Sequence, residues 1–426
     1  MREQRDPVCG ERILFGQAKC GLPIRVVPRQ KFSRACAHLT VDFGAVDRAL
    51  PGPGRGRRLP AGVAHFLEHK MFEKARGDLF SEFSRLGSSA NAMTGHTSTS
   101  YVFSCTDSFE ENLDVLLDVV FDAYFTDELV QKEQGIIAEE IRGYDDSAGW
   151  RAYRALLEGM YHKHPVRDDI AGTERTIAQI TADQLHAVHA AFYAPHNAVL
   201  CVAGNVDAAA VLRRVDARLG RVRRGQAPVR PPLPVEPAGI RRRRQNVRMP
   251  VGLPIFYLGF KGPVDELSGA EAFRLETATS IALELVLGET TEFHDQLYAD
   301  GLIGEEFSWT TRSERGATYA IIGGQTPDPR ALERRVLSEV ENALDRPLDG
   351  VALERVKRRI LGDYVRLLDS MEGLCGQLAE CHRAGLDFFS LLPRVERMSV
   401  KTVLRQARRL LQLGRMASVA VLPPKQ

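Results

Sequence analysis

The spacing of apolar residues changes period repeatedly along the chain, and each change marks an element. "PIRVVPR" (23–29), then "ACAHLTVDFGAV" (35–46), the latter alternating with period two, predict two strands joined by a turn around Gln30–Arg34. A Pro/Gly/Arg loop, "DRALPGPGRGRRLPAG", follows at 47–62. The period then lengthens. Helices are predicted over 62–75 and 77–87, the second stopped by Gly87. "ANAMTGHTSTSYVFSCT" (90–106) is rich in Thr, Ser, Tyr and Val and predicts extended strands. Long helical patterns cover 108–125 and 126–146, the latter opening on the cap-like pair Thr126-Asp127. Helices at 148–161 and 181–193, a buried-type strand at 197–206 and a helix at 207–222 complete this part.

The texture changes at 222–240, where "RRGQAPVRPPLPVEPAG" is Pro-rich, polar and without period, so a linker is predicted there. Beyond it the order of elements repeats in outline. Strands are expected near 245–262, helices near 268–287 and 290–301, strands near 305–325, and helices near 328–345 and 350–370. A duplicated α+β unit follows, with domains at 1–221 and 241–426.

Composition narrows the classes. Hydrophobic content of 44% and charged content of 26% are those of an ordinary globular protein. A net charge of +2 gives no argument for nucleic acid, so "RGRR" (55–58) and "RRRR" (241–244) read as solvated loop charge. The start, "MREQRDPVCGERILFG", lacks the apolar core of a signal peptide. No uninterrupted apolar stretch approaches the ~18 residues of a membrane helix. The seven cysteines are odd in number and contain no CxxC pair. Reduced thiols and a cytoplasmic location are expected, with Cys375, Cys381 and His382 matching no common zinc spacing.

One stretch carries chemistry: "AGVAHFLEHKMFEK", 61–74. On a helix, residues i, i+3 and i+4 share a face, so His65 and His69 can hold one metal ion together. Glu68 lies between them and can reach a water in the metal's open position. This is the H-x-x-E-H pattern. Catalytic zinc takes three protein ligands, so one is still to be found. The helix at 126–146 offers Glu133, Glu139 and Glu140. Glu133 and Glu140 are almost two turns apart and share a face, whereas Glu139 points about 100° away from Glu140. Ile136 and Ile137 would bury that face, and buried glutamates need a positive partner, which a zinc ion would supply. The bland reading is a solvated amphipathic helix that carries two histidines by accident.

"HFLEHKMFEK", "SANAMTGHTSTSYVFS" and "QKEQGIIAEEIRGYDD" together resemble the pitrilysin family of zinc peptidases, in particular its two-domain bacterial members related to the mitochondrial processing peptidase. The resemblance runs from about Gly10 to Val206. Beyond the linker it is carried by "ELVLGETTEFHDQLYADGLIGEEFSW" and "YAIIGGQTPD". It implies two similar halves, each a mainly antiparallel sheet covered by helices, forming a clamshell around a chamber. It implies His65, His69 and Glu140 as ligands of one zinc ion per chain, Glu68 as general base, and Glu133 as support behind the site. Asn91 matches a position beside the cleft, on a strand that pairs with bound peptide.

One departure stands out. Active members carry an Arg and a Tyr in the second half, in a stretch resembling "REKRGLAYSV", where they bind the substrate carbonyl. Here "LYADGLIGEEFSW" aligns best, with Tyr298 at the arginine position. A look-alike, "RSERGATY", places Arg312 and Tyr319 at the same separation in what reads as the next strand. The expected function is therefore a zinc endopeptidase acting on peptides or small unfolded polypeptides. A related subunit without HxxEH would supply the Arg/Tyr pair, or the chain would pair with itself. Alternatives are a maturation protease that trims the leader of a ribosomal peptide, or a non-catalytic scaffold subunit of the same fold. Neither nucleic acid nor membrane is an expected partner.

Overall fold

The computed structural model describes residues 1–6, 10–51, 56–220, 222, 230 and 232–425. Most of the predicted linker, residues 223–229 and 231, and Arg55 of the first arginine run lie outside them. The fold is α+β, with two mixed sheets covered by helices.

The first sheet contains Arg2–Arg5 (β1), Arg12–Gln17 (β2), Pro23–Pro28 (β3), Ala35–Val41 (β4), Ser89–Thr94 (β5), Thr99–Cys105 (β6) and Ala198–Gly204 (β7). Their order is β1-β2-β3-β7-β4-β6-β5, parallel only between β3 and β7. β4 and β7 are buried at every position. Both faces of these central strands are covered; β7 reads as a continuous apolar run, whereas β4 also buries His38 and Thr40. The edge strand β5 alternates exposed and half-buried residues instead.

The second sheet contains Arg244–Arg248 (β8), Ile255–Lys261 (β9), Ser308–Glu314 (β10), Ala317–Gln325 (β11) and Met416–Leu422 (β12). Their order is β8-β12-β9-β11-β10, parallel only between β8 and β12.

By contacts the chain divides into two compact units, and neither is continuous in sequence. The first comprises Met1–Ile141, Asp169–Pro232 and Tyr364–Ser390, and the second Arg142–Asp168, Leu233–Asp363 and Leu391–Gln426. Helix Val63–Lys70 (α1), helix Phe109–Phe121 (α2) and most of helix Asp127–Asp145 (α3) belong to the first unit. Helix Ala148–Met160 (α4) lies early in the chain yet packs on β9 and β12 of the second sheet. Its approach requires Gly259 on β9, where a Cβ would stand 2.8 Å from Met160 Sδ. Helix Glu292–Ala299 (α5) also lies in the second unit. Helix Met371–Arg383 (α6), late in the chain, packs on β4 and β7 of the first sheet.

Phe43, Phe66, Leu67, Tyr101, Leu113, Leu116 and Ile137 lie in one core cluster of the first unit. Burying a side chain such as Phe66 or Leu67 stabilises the fold by about 1.5–3 kcal/mol, so α1 is anchored by its apolar face although it is only eight residues long.

The structure adds elements the periodicity does not predict. β1 and β2 precede the first predicted strand, and α6, helix Val400–Leu410 and β12 follow residue 370. The helix predicted over 62–75 ends at Lys70, because Glu73–Lys74 pairs with Gly77–Asp78 in a small hairpin. Among the described residues no helix is long and apolar enough to cross a membrane. The six described cysteines are buried free thiols.

Candidate metal centre

α1 starts at Gly62, whose φ of 90° is left-handed. A Cβ at this position would stand 2.4 Å from the Ala171 carbonyl oxygen, so glycine is needed on both counts. Val63, Ala64, Phe66 and Leu67 turn into the core and fix the helix's rotation. His65 and His69 then share the remaining face one turn apart, with ring centroids 4.6 Å apart.

α3 supplies the facing wall. Its buried stripe is Val130, Glu133, Ile137 and Ile141, at spacings of three, four and four. Ile136 does not join it and is 47% exposed, a correction to the expectation that it buries the glutamate face. It lies on the far side of Glu133 from the stripe. Glu140 sits at the stripe's edge, half-buried, and Glu139 is exposed.

His65 Nε2 lies 3.7 Å from Glu140 Oε1, and His69 Nε2 lies 3.5 Å from Glu140 Oε2. The ligand atoms of this trio all fall within 4.8 Å of one another. These separations are long for hydrogen bonds. They suit a tetrahedral zinc, since bonds of about 2.0–2.2 Å give ligand–ligand edges of roughly 3.4 Å. The donor set, two imidazoles and a carboxylate, also fits zinc chemistry.

The rest of the site orients these groups. Glu133 Oε1 lies 3.0 Å from His69 Nδ1. That bond places the ring proton on Nδ1 and leaves the Nε2 lone pair toward Glu140. Glu133 Oε2 accepts from Lys70 Nζ at 3.1 Å, and Lys70 Nζ also donates to Glu73. Lys70 is fully buried. His65 Nδ1 is buried with no hydrogen-bond partner among the described residues. Glu68 Oε2 accepts from Thr94 Oγ1 of β5 at 2.5 Å.

Electrostatics separate the two histidines. Burial, aided by neighbouring His69, lowers the His65 pKa to about 4 and holds the ring neutral. Burial also acts downward on His69, but its bond to Glu133 and the charges of Glu68, Glu133 and Glu140 outweigh it and raise that pKa. For Glu133 the opposite holds: burial pushes up, while the bonds from His69 and Lys70 prevail and lower it. Burial raises the Glu68 carboxyl above its ordinary value, against the Thr94 bond.

Of the other sequence candidates, Asn91 is an exposed residue of edge strand β5, its Oδ1 accepting from the Ala92 N–H at 2.8 Å. Arg312 and Tyr319 lie in the second unit as register partners on β10 and β11. Arg312 is exposed, whereas Tyr319 is 1% exposed with its hydroxyl 2.9 Å from that of Tyr153. Tyr298, in α5, is 59% exposed. Periodicity missed Lys70, Glu73 and Thr94. For Lys70 a signal was present: it directly follows His69 and precedes the apolar pair Met71-Phe72, an unusual setting for a solvated lysine.

Comparison with known proteins agrees with this geometry. The family described as Insulinase (Peptidase family M16) matches residues 58–174, and Peptidase M16 inactive domain matches residues 179–360. The uncharacterized zinc protease YmfH of Bacillus subtilis is 35% identical over 386 residues, which cover 90% of each chain. An M16-like peptidase from Alicyclobacillus acidocaldarius superposes with a TM-score of 0.94 at 32% identity, covering 98% of this chain and 100% of that one. The periplasmic protease PqqL of Escherichia coli shares the fold, with a TM-score of 0.74 at 18% identity. That match takes in 99% of this chain but only 48% of PqqL.

Proposed function

This chain belongs to the M16 family of zinc metallopeptidases, and on that premise we propose that it hydrolyses peptides or small unfolded polypeptides at one zinc ion held by His65, His69 and Glu140. The observation that carries the reading is the trio's geometry, with the Glu140 carboxylate 3.7 and 3.5 Å from the two imidazole nitrogens.

Bound zinc supplies Lewis-acid polarisation of a water and of the scissile carbonyl. Glu68 takes the water's proton and hands it to the leaving amine. Its burial favours this role, because a carboxylate with a raised pKa is a stronger base. Thr94 holds one Glu68 oxygen and leaves the other to act. Glu133 keeps His69 in the tautomer that presents Nε2. The edge strand β5, with Asn91, offers free backbone groups along which an extended peptide can add.

We assign the second catalytic contribution to another chain. Tyr298 stands where the family's arginine is expected, and the Tyr319 hydroxyl is buried against Tyr153, which speaks against Arg312 and Tyr319 as a pair in cis. The half-length match to PqqL supports an enzyme built from two such chains, enclosing the peptide in a chamber. The partner is a related subunit lacking HxxEH but bearing the Arg/Tyr pair. Losing an oxyanion donor typically costs ~10²–10³-fold in rate. The chain alone should therefore bind about one zinc and cleave a fluorogenic peptide slowly, and adding the partner should restore a comparable factor. Full activity of the unmixed chain, crippled by Arg312→Ala, would overturn the two-chain proposal.

A further inference from the structure

At the outer edge of the first sheet, register lines up three side chains. Arg2 on β1 faces Phe15 on β2, and Phe15 faces Arg25 on β3. Residues paired this way project from one face of the sheet. The two guanidinium carbons stand 5.2 Å and 4.8 Å from the Phe15 ring centroid, so both cations lean on one aromatic ring.

What these arginines lack is a counter-charge. Elsewhere in the first unit, well-covered arginines have carboxylate partners: Arg29 pairs with Glu11 at 2.5 Å, Arg230 with Asp42 at 2.9 Å, and Arg383 with Asp42 at 3.2 Å. Arg25 is half-buried. Among the described residues, neither it nor Arg2 forms an ion pair. Arg25 Nη1 donates to the Ile24 carbonyl, and among the described residues its one bond to another side chain joins Nη2 to His382 Nδ1 at 3.1 Å. Since a guanidinium can only donate, His382 Nδ1 accepts and the imidazole proton sits on Nε2. Burial and the neighbouring Arg25 charge hold His382 neutral, with a pKa lowered to about 4.

These groups line a cleft of about 450 Å³, with Leu378, Leu386 and Phe388 as apolar wall. Two carboxylates also line it: Glu3 is paired with Arg5 at 2.6 Å, and Asp387 accepts from the Gln4 amide at 2.8 Å and, among the described residues, forms no ion pair with Arg2 or Arg25. The cleft thus holds two guanidinium groups without an ion-pair partner among the described residues, Arg25 half-buried and Arg2 exposed, together with His382, beside an apolar surface. A half-buried charge without a partner is costly unless a ligand completes it.

We propose that this cleft binds a small organic anion, an oxyanion group on an apolar body. The oxyanion lies between Arg2, Arg25 and His382 Nε2–H, and the apolar part packs toward Leu378 and Phe388. Two sources offer that chemistry, a phosphate ester and the terminal carboxylate of a short peptide.

Calorimetric titration of the zinc-loaded full chain separates them. The probes are inorganic phosphate, phenyl phosphate, N-acetylphenylalanine and N-acetylphenylalanine amide. At least one of the two apolar anions should bind, more tightly than inorganic phosphate, and the amide should not. Phenyl phosphate alone would assign a phosphate ester, and N-acetylphenylalanine alone a peptide carboxylate. Arg25→Met should raise Kd at least about tenfold by removing a two-pronged charged donor, and Arg2→Met should raise it less. If Arg25→Met fails to fold, Arg25→Lys takes its place: it keeps the charge, loses the fork, and should weaken binding several-fold. Saturation by neither anion below about 10 mM, equal binding of the amide, or wild-type affinity in the Arg25 variant would each overturn the assignment.

Discussion

Lys70→Met tests whether the buried ammonium holds the metal centre together. Lys70 is fully buried, and its ammonium bonds Glu133, which is 5% exposed. Methionine keeps most of the side-chain volume and removes only the charge. Among the described residues Glu133 then retains one hydrogen-bond partner, His69. Stripping one member from a buried ion pair costs about 3–5 kcal/mol, because the remaining charge stays desolvated. For a cooperative unit of this size that is a fall of roughly 6–20 °C in melting temperature. Glu73→Gln is the internal control. It removes the lysine's other partner, whose side chain is 27% exposed, and should cost less than about 1 kcal/mol. The double change Lys70→Met/Glu133→Leu removes both charges and should recover much of the stability while weakening zinc. Zinc affinity of Lys70→Met, by competition with a chelating dye, should fall about 10–100-fold, the usual loss for an outer-shell partner. Calorimetric melting of the metal-free proteins reads the stability. If Lys70→Met melts like Glu73→Gln, the buried pair carries no weight and the reasoning fails.

Three further outcomes are expected. Glu140→Gln should weaken zinc binding strongly and Glu139→Gln hardly at all, since only Glu140 faces the histidines; equal effects by atomic absorption would contradict the ligand assignment. Glu68→Gln should keep stoichiometric zinc yet lose peptidase activity by about two to four orders of magnitude, so normal turnover would remove Glu68 from the base role. Glu276, near Arg312 in the second unit, has its pKa raised to about 7 from 4.5, chiefly by burial. The folded state holds that proton more tightly than the unfolded one. Stability should therefore fall as pH rises from 4.5 to 7 and level off above. Glu276→Gln keeps the acceptor for the Ser313 N–H and should flatten that slope in urea titrations at several pH values.

Much of the candidate metal site could be read from spacing because helical geometry is local. Once His65 and His69 are one turn apart, their shared face follows, and the same arithmetic separates Glu140 from Glu139. Which wall a helix faces is not local. Ile136 and Ile137 look equivalent in sequence, but only Ile137 reaches the core, because tertiary packing chose the rotation of α3. Lys70 escaped notice for a related reason: its partner Glu133 lies 63 residues away, and no periodicity reports such a pair. β12 is an apolar run whose place beside β8 and β9 depends on pairing across the chain. The arginine row at Arg2, Phe15 and Arg25 exists only once register has aligned three strands.

The discontinuity of the two compact units sets an order of events during synthesis. The first sheet's central strands are complete once residue 204 has emerged, yet α6, which covers β4 and β7, is made only with residues 371–383. Until then the face that α6 covers, Val199, Cys201 and Ala203 of β7 beside Cys36, His38 and Thr40 of β4, has no cover, and exposed apolar strand surface invites aggregation or chaperone capture. A ribosome stalled or a chain truncated before residue 371 should therefore leave a first unit that carries His65, His69 and Glu140 but is sticky and readily proteolysed. Maturation of the metal centre would then be post-translational, however early its ligands appear in the chain.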